Sequence, residues 1–179
     1  MGDARHPAGR YGTVSRFLHW SMAALILVNL PLGLLSDTLE DAGYETVGLH
    51  KSIGLTLLAL ALIRIGWRLM NPPPPLPASV SRRDARIAVA VHVLLYALML
   101  ALPLTGYIFS SAGKYPLTWF DLFGVPKLAL TRDDAIVGLS REGHEILGWV
   151  MIAAALGHIA AALRHHLVLR DGVLRRMLG

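Results

Sequence analysis

Residues 144–169 read HEILGWVMIAAALGHIAAALRHHLVL. A helix needs about 20 mainly apolar residues to cross the hydrocarbon core of a bilayer. This stretch is long enough, and its formal charges, Glu145 and Arg164, lie near its two ends. Its middle is rich in small residues: Ala153, Ala154, Ala155, Gly157, Ala160, Ala161 and Ala162. Small residues let a neighbouring helix or a flat ligand approach closely. The reading is therefore a transmembrane helix, and it carries His144 at one end and His158 toward the other.

Three further stretches have the same character, at about residues 17–35, 50–70 and 87–110. Together they predict an all-α integral membrane four-helix bundle, one membrane domain over residues 1–179. Composition agrees: 54% of the 179 residues are hydrophobic and only 16% charged, against about 25% charged in a typical soluble domain. Mean hydropathy is +0.52. There is no cysteine, which excludes disulfides, iron–sulfur clusters, thiolate metal sites and covalently attached haem. The first stretch has no A-x-A-like cleavage site and carries His19, so it reads as a retained span, not a signal peptide. Pro31 and Pro103 fall inside spans and should kink them.

The links set the topology. Asn71–Pro77 (NPPPPLP) is a stiff polyproline-type linker. Residues 112–140 hold Tyr115, Trp119, Phe120 and Phe123, aromatic rings suited to the membrane interface. One side of the bundle carries twelve arginines against Asp3, Asp84 and Asp171; the other carries Lys51, Lys114, Lys127, Arg132 and Arg141 against nine acids. The positive-inside rule places both termini in the cytoplasm. The net charge of +5 follows from these flanks and does not signal nucleic acid.

Ionisable side chains within spans are costly and mark function. His50 and His144 enter from the outer face, whereas His19 and His158 lie toward the inner face. That makes two levels with two imidazoles each. Two imidazoles on either side of a planar macrocycle form a six-coordinate b-type haem suited to electron transfer. His144 and His158 are 14 residues apart, roughly 21 Å along a helix and about 40° around it, so they face one interior at two depths. Each of the four has a small residue at i+4: Ala23, Gly54, Gly148 and Ala162. His92 and His165 have Tyr96 and Leu169 there instead.

Rival readings exist. Membrane histidines also hydrogen-bond between helices. A di-iron site needs Glu-x-x-His pairs, and no glutamate lies deep in a span. Zinc would gather its ligands at one level. His92 is a candidate for a quinone pocket or for an alternative inner ligand in place of His19 or His158. Arg16, one turn before His19, Arg64, 14 residues after His50, and Lys51 are candidate contacts for haem propionates, with snorkelling as the plain alternative. His165 and His166 read as interfacial, and His6 as a solvated tail residue.

Several of these segments occur together in one family. Arg16-Phe-Leu-His19-Trp20, His50-x-x-x-Gly54, Ala101-Leu-Pro-Leu-Thr-Gly106, Trp119-Phe-Asp-Leu-Phe123, His144-Glu-x-Leu-Gly148 and His158 followed by His165-His166 resemble the prokaryotic cytochrome b561 family. The resemblance runs from about Tyr11 to the C-terminus. It implies a dihaem cytochrome of the bacterial inner membrane that exchanges electrons with quinone. Its outer haem would fall to His50 and His144 and its inner haem to His19 and His158. The expected activity is an oxidoreductase moving electrons from a periplasmic donor, superoxide in some members, to ubiquinone. The alternative is a cytochrome b membrane anchor that takes electrons from a periplasmic hydrogenase or dehydrogenase partner. The cofactors expected are two haem b, with ubiquinone as substrate and membrane lipid as surroundings.

Overall fold

A computed structural model describes residues 9–77 and 79–179. His6, Arg5 and Asp3 lie outside the described residues. Four long helices dominate: α1 (Thr13–Leu34), α3 (Val47–Met70), α4 (Arg82–Ser111) and α5 (Ala135–Arg164). A short α2 (Ser36–Asp41) follows α1, and α6 (Arg175–Leu178) closes the chain. Each of the four is long and apolar enough to cross a membrane.

The helices outrun the apolar stretches that announce them. α4 starts at Arg82, where the Ser81 hydroxyl accepts from the Asp84 N–H at 3.1 Å and donates to its carboxylate at 2.9 Å. This N-cap satisfies one orphan N–H of the first turn in polar sequence. α5 starts at Ala135 behind Asp134, whose carboxylate accepts from the Thr131 N–H at 2.6 Å. His144 therefore sits well inside α5 and does not open it, as the apolar stretch had suggested, and His92 likewise lies well inside α4. Backbone hydrogen bonding does not stop where lipid ends, so a hydropathy boundary is not a helix boundary.

Helix α1 packs on α3, α4 on α5, and α3 on α4. A small apolar cluster of Met22, Ile53, Leu57 and Ala61 fills the α1–α3 seam. Many large apolar side chains face outward, among them Phe17, Leu62, Val93, Leu139 and Leu156. In water such a surface would aggregate; in a bilayer it is the lipid-facing coat.

Between α4 and α5 lies a small hairpin, β1 (Thr118–Trp119) paired with β2 (Phe123–Gly124). Phe120 and Asp121 take positive φ at its tip, 48° and 56°, and Leu122 N–H closes the turn on Trp119 O at 3.0 Å. This is the mirror-image turn that hairpin twist favours, here built without glycine. The interfacial aromatic stretch is thus anchored: Trp119 Nε1 donates to Thr56 Oγ1 at 3.0 Å and Phe120 N–H to the buried Ser52 Oγ at 2.9 Å.

The polar ends of the chain meet. Arg176 donates to the carbonyls of Gly9 (2.6 Å), Pro74 (3.1 Å) and Pro75 (2.8 Å) and lies over the Tyr11 ring. Tyr11 N–H donates to Arg176 O at 3.1 Å, and Trp20 Nε1 to Met177 O at 2.9 Å. One arginine from the basic flank thereby ties both tails to the polyproline linker.

Candidate haem sites

Two imidazole pairs stand at the two expected levels. The rings of His50 (α3) and His144 (α5) have centroids 6.1 Å apart, and those of His19 (α1) and His158 (α5) are 6.3 Å apart. A metal–imidazole bond is about 2.0–2.1 Å; with roughly 1.2 Å from nitrogen to ring centre on each side, two imidazoles sharing one metal have centroids about 6.4 Å apart. Both pairs match that spacing. His92 lies closer to His158, at 5.3 Å, which is too short for the two rings to stand on opposite faces of one haem.

The outer pair also has its protons arranged. His50 Nδ1–H donates to Asn29 O on α1 at 3.1 Å. His144 Nδ1–H donates to Leu102 O on α4 at 3.0 Å, with Thr105 Oγ1 at 3.2 Å. A backbone carbonyl can only accept, so Nδ1 carries the proton and Nε2 keeps its lone pair for a ligand. Metal-binding histidines are usually held this way.

Each outer ring rests in a notch on the neighbouring helix. A Cβ added to Gly33 would lie 2.6 Å from His50 Cε1, and one on Gly106 would lie 3.1 Å from His144 Cε1. In both helices the glycine stands four residues after the accepting carbonyl, Asn29 to Gly33 and Leu102 to Gly106. Carbonyl and notch thus lie one turn apart on one face. The i+4 glycines of the histidine helices behave differently. Gly148 has open space around its Cα, and Gly54 meets only the Asn29 amide at 3.9 Å.

The inner level is more cationic. Arg64 acts electrostatically on His19, His92 and His158. Its Nε donates to Tyr96 OH at 3.0 Å and its second arm to Ser15 O at 3.1 Å. Arg68 also lies over the Tyr96 ring. Arg16 keeps a buried Nε with no hydrogen-bond partner, an atom that an anionic oxygen would satisfy. His92 Nδ1–H is held by its own helix, at 2.6 Å from Ala88 O. Lys51, at the outer level, lies within electrostatic reach of Glu40 and Lys127. Among the described residues, no three His, Asp or Glu side chains are grouped to hold one metal ion.

The residues present fit haem: paired imidazoles at iron spacing, free Nε2 atoms in the outer pair, and cations at the inner level. The profile of the prokaryotic cytochrome b561 family matches residues 10–179. The chain belongs to the prokaryotic cytochrome b561 family. Cytochrome b561 homolog 2 of Escherichia coli is 37% identical over 174 residues, covering 95% of this chain and 92% of that protein. Cytochrome b562 of Cereibacter sphaeroides is 27% identical over 168 residues, 90% of each chain. The probable superoxide oxidase CybB of Yersinia pestis is 26% identical over 178 residues, 94% of this chain and 96% of that one. As a cytochrome b561, this chain is a b-type haem-binding, multi-pass electron-transport protein of the bacterial inner membrane.

Sequence reasoning named the four histidines as candidates but not the contacts around them. Asn29 and Gly33 carried no charge or motif that marked them, and Leu102 and Thr105 lay inside the quoted Ala101–Gly106 motif without a role being read from it. A usable signal was present: Pro31 and Pro103 each stand a few residues before a helix glycine, Gly33 and Gly106.

Proposed function

We propose that this cytochrome b561 holds two haem b groups, the outer on His50 and His144 and the inner on His19 and His158, and moves electrons from periplasmic superoxide to ubiquinone. The observation that carries the reading is the pair of facing imidazoles repeated at two depths, 6.1 and 6.3 Å between centroids. His144 and His158 share α5, so the two levels lie roughly 21 Å apart along it.

When bound, the haems supply one-electron carriers, with the protein setting access and potential. Asn29 O and Leu102 O keep the outer imidazoles in the tautomer that ligates through Nε2. Arg16 and Arg64 would hold inner propionates, the first through its unpartnered Nε. His92 stands beside the inner pair, where a quinone would receive electrons. Lys51 would serve the outer propionates. The arginine-rich side faces the cytoplasm, so both termini do. In the overall reaction two superoxide anions each lose one electron and leave as dioxygen. One ubiquinone takes those two electrons and two protons and leaves as quinol.

Purified protein mixed with superoxide and ubiquinone should form quinol well above the uncatalysed background. Quantified haem should come to two per chain. If haem is present but quinol is not formed, the donor assignment fails, and the protein would be a cytochrome b anchor for a periplasmic dehydrogenase or hydrogenase.

A further inference from the structure

The C-terminal end of α5 carries a feature that electron transfer does not use. The helix widens into a π turn over His165–Leu169 and stops at Arg170, whose φ is +52°. Helices commonly stop this way, but on glycine; an arginine there adopts a backbone that disfavours any Cβ. Gly172 follows at φ +79°. The reversal folds the chain around a cavity of about 290 Å³ lined by His166, Leu167, Arg170, Gly172 and Arg175.

The charge in this cavity is one-sided. Asp171 is the nearby acid, and it is spent: its carboxylate pairs with the His165 ring and accepts the Val173 N–H at 3.1 Å. Its side chain is only 5% exposed. Arg176 is spent as well, on the carbonyls of Gly9, Pro74 and Pro75. Among the described residues, Arg170 reaches only the Leu167 carbonyl, at 3.4 Å, and Arg175 lies exposed at the cavity. Directly beside these cations, Leu167 and Val168 stand 62% and 72% exposed. At the end of a membrane span, such exposed apolar side chains suit contact with acyl chains.

We infer that this cavity binds the headgroup of an anionic phospholipid, with Arg170 and Arg175 on the phosphate and Leu167 and Val168 along the chains. Basic pockets at the ends of membrane spans take anionic headgroups for the same reason: charge pairing at the interface and burial of tails above it. Topology alone would ask for arginines on this side. It would not ask for a left-handed arginine, a cavity and a sequestered carboxylate.

The test uses full-length protein in detergent mixed with phosphatidylglycerol or phosphatidylcholine, with bound lipid counted by native mass spectrometry. The protein should retain one phosphatidylglycerol in preference to phosphatidylcholine. R170Q/R175Q should lower that retention roughly tenfold or more. R82Q/R83Q, which removes two arginines from the same side at the start of α4, should leave it unchanged. An unchanged helical circular dichroism spectrum shows that the variants fold. Equal loss in both double variants, or equal retention of the two lipids, would overturn the site. So would displacement of the lipid by millimolar inorganic phosphate alone, which would make it a plain anion site.

Discussion

His50 donates from Nδ1 to the carbonyl oxygen of Asn29 on the neighbouring helix, 3.1 Å away, and its ring lies where a Cβ on Gly33 would be. One residue supplies the acceptor and another, a turn later, supplies the space. The same relation holds between His144 and α4, through Leu102 O and Gly106. The two helix pairs, α1 with α3 and α4 with α5, thus present their outer imidazoles to each other from matching seats.

A methyl group in either seat should displace its ring. In Gly33→Ala the new Cβ would stand 2.6 Å from His50 Cε1, so ring or helix must move. Outer-haem affinity should fall about 10–100-fold, the usual effect of disturbing what orients a ligand. Gly106→Ala meets its ring at 3.1 Å and should cost less. Haem per chain and the visible spectrum of the reduced protein measure both variants.

Removing single histidines should sort the levels. His144→Ala should take haem from two per chain to one and leave the inner signal. His19→Ala should leave the outer one. His92→Ala should keep both, because its ring lies 5.3 Å from His158, too close for the two to clamp one haem from opposite faces. A one-haem His92→Ala protein would reassign the inner ligand.

Asp171 should make the C-terminal turn pH-dependent. Burial of its carboxyl works against ionisation, but hydrogen bonds from His165 and the Val173 N–H outweigh it and hold the pKa below the ordinary carboxylate value. A depressed pKa stabilises the fold above the unfolded-state value, near pH 3.9, and that contribution is lost as pH falls through the folded-state value. Asp171→Asn should therefore exchange amide hydrogens faster around residues 165–175 at pH 7. The difference from the parent should shrink steadily below about pH 4.

The Arg176 clasp should matter more than other basic residues on its side. Arg176→Ala removes three carbonyl partners and the ring contact with Tyr11. The expected loss is roughly 1–2 kcal/mol, with faster proteolysis of both tails. Arg83→Ala, an exposed residue in the first turn of α4, should change neither.

Most of the fold was legible in the sequence because lipid imposes one simple rule. A spanning segment must be long, apolar and helical, so four apolar stretches read as four helices. Helical periodicity also fixes depth and angle along one helix. That is why His144 and His158 could be assigned to one face at two levels. Family membership was legible for a related reason: the motifs cluster at the histidines, whose chemistry tolerates few substitutes.

Periodicity says nothing about which neighbour a face will meet. The pairings of His50 with His144 and of His19 with His158, and the nearness of His92 to His158, depend on how the helices pack side by side. So do the seats at Gly33 and Gly106, since a glycine reads the same whether it faces lipid or an imidazole. The Arg176 clasp joins residues more than 100 positions apart, and in the sequence that arginine looked like one more topology charge. Sequence alone determined what each helix offers at each height. Tertiary structure decided what it is offered to, because the contacts that orient and seat the ligands form between helices rather than along them.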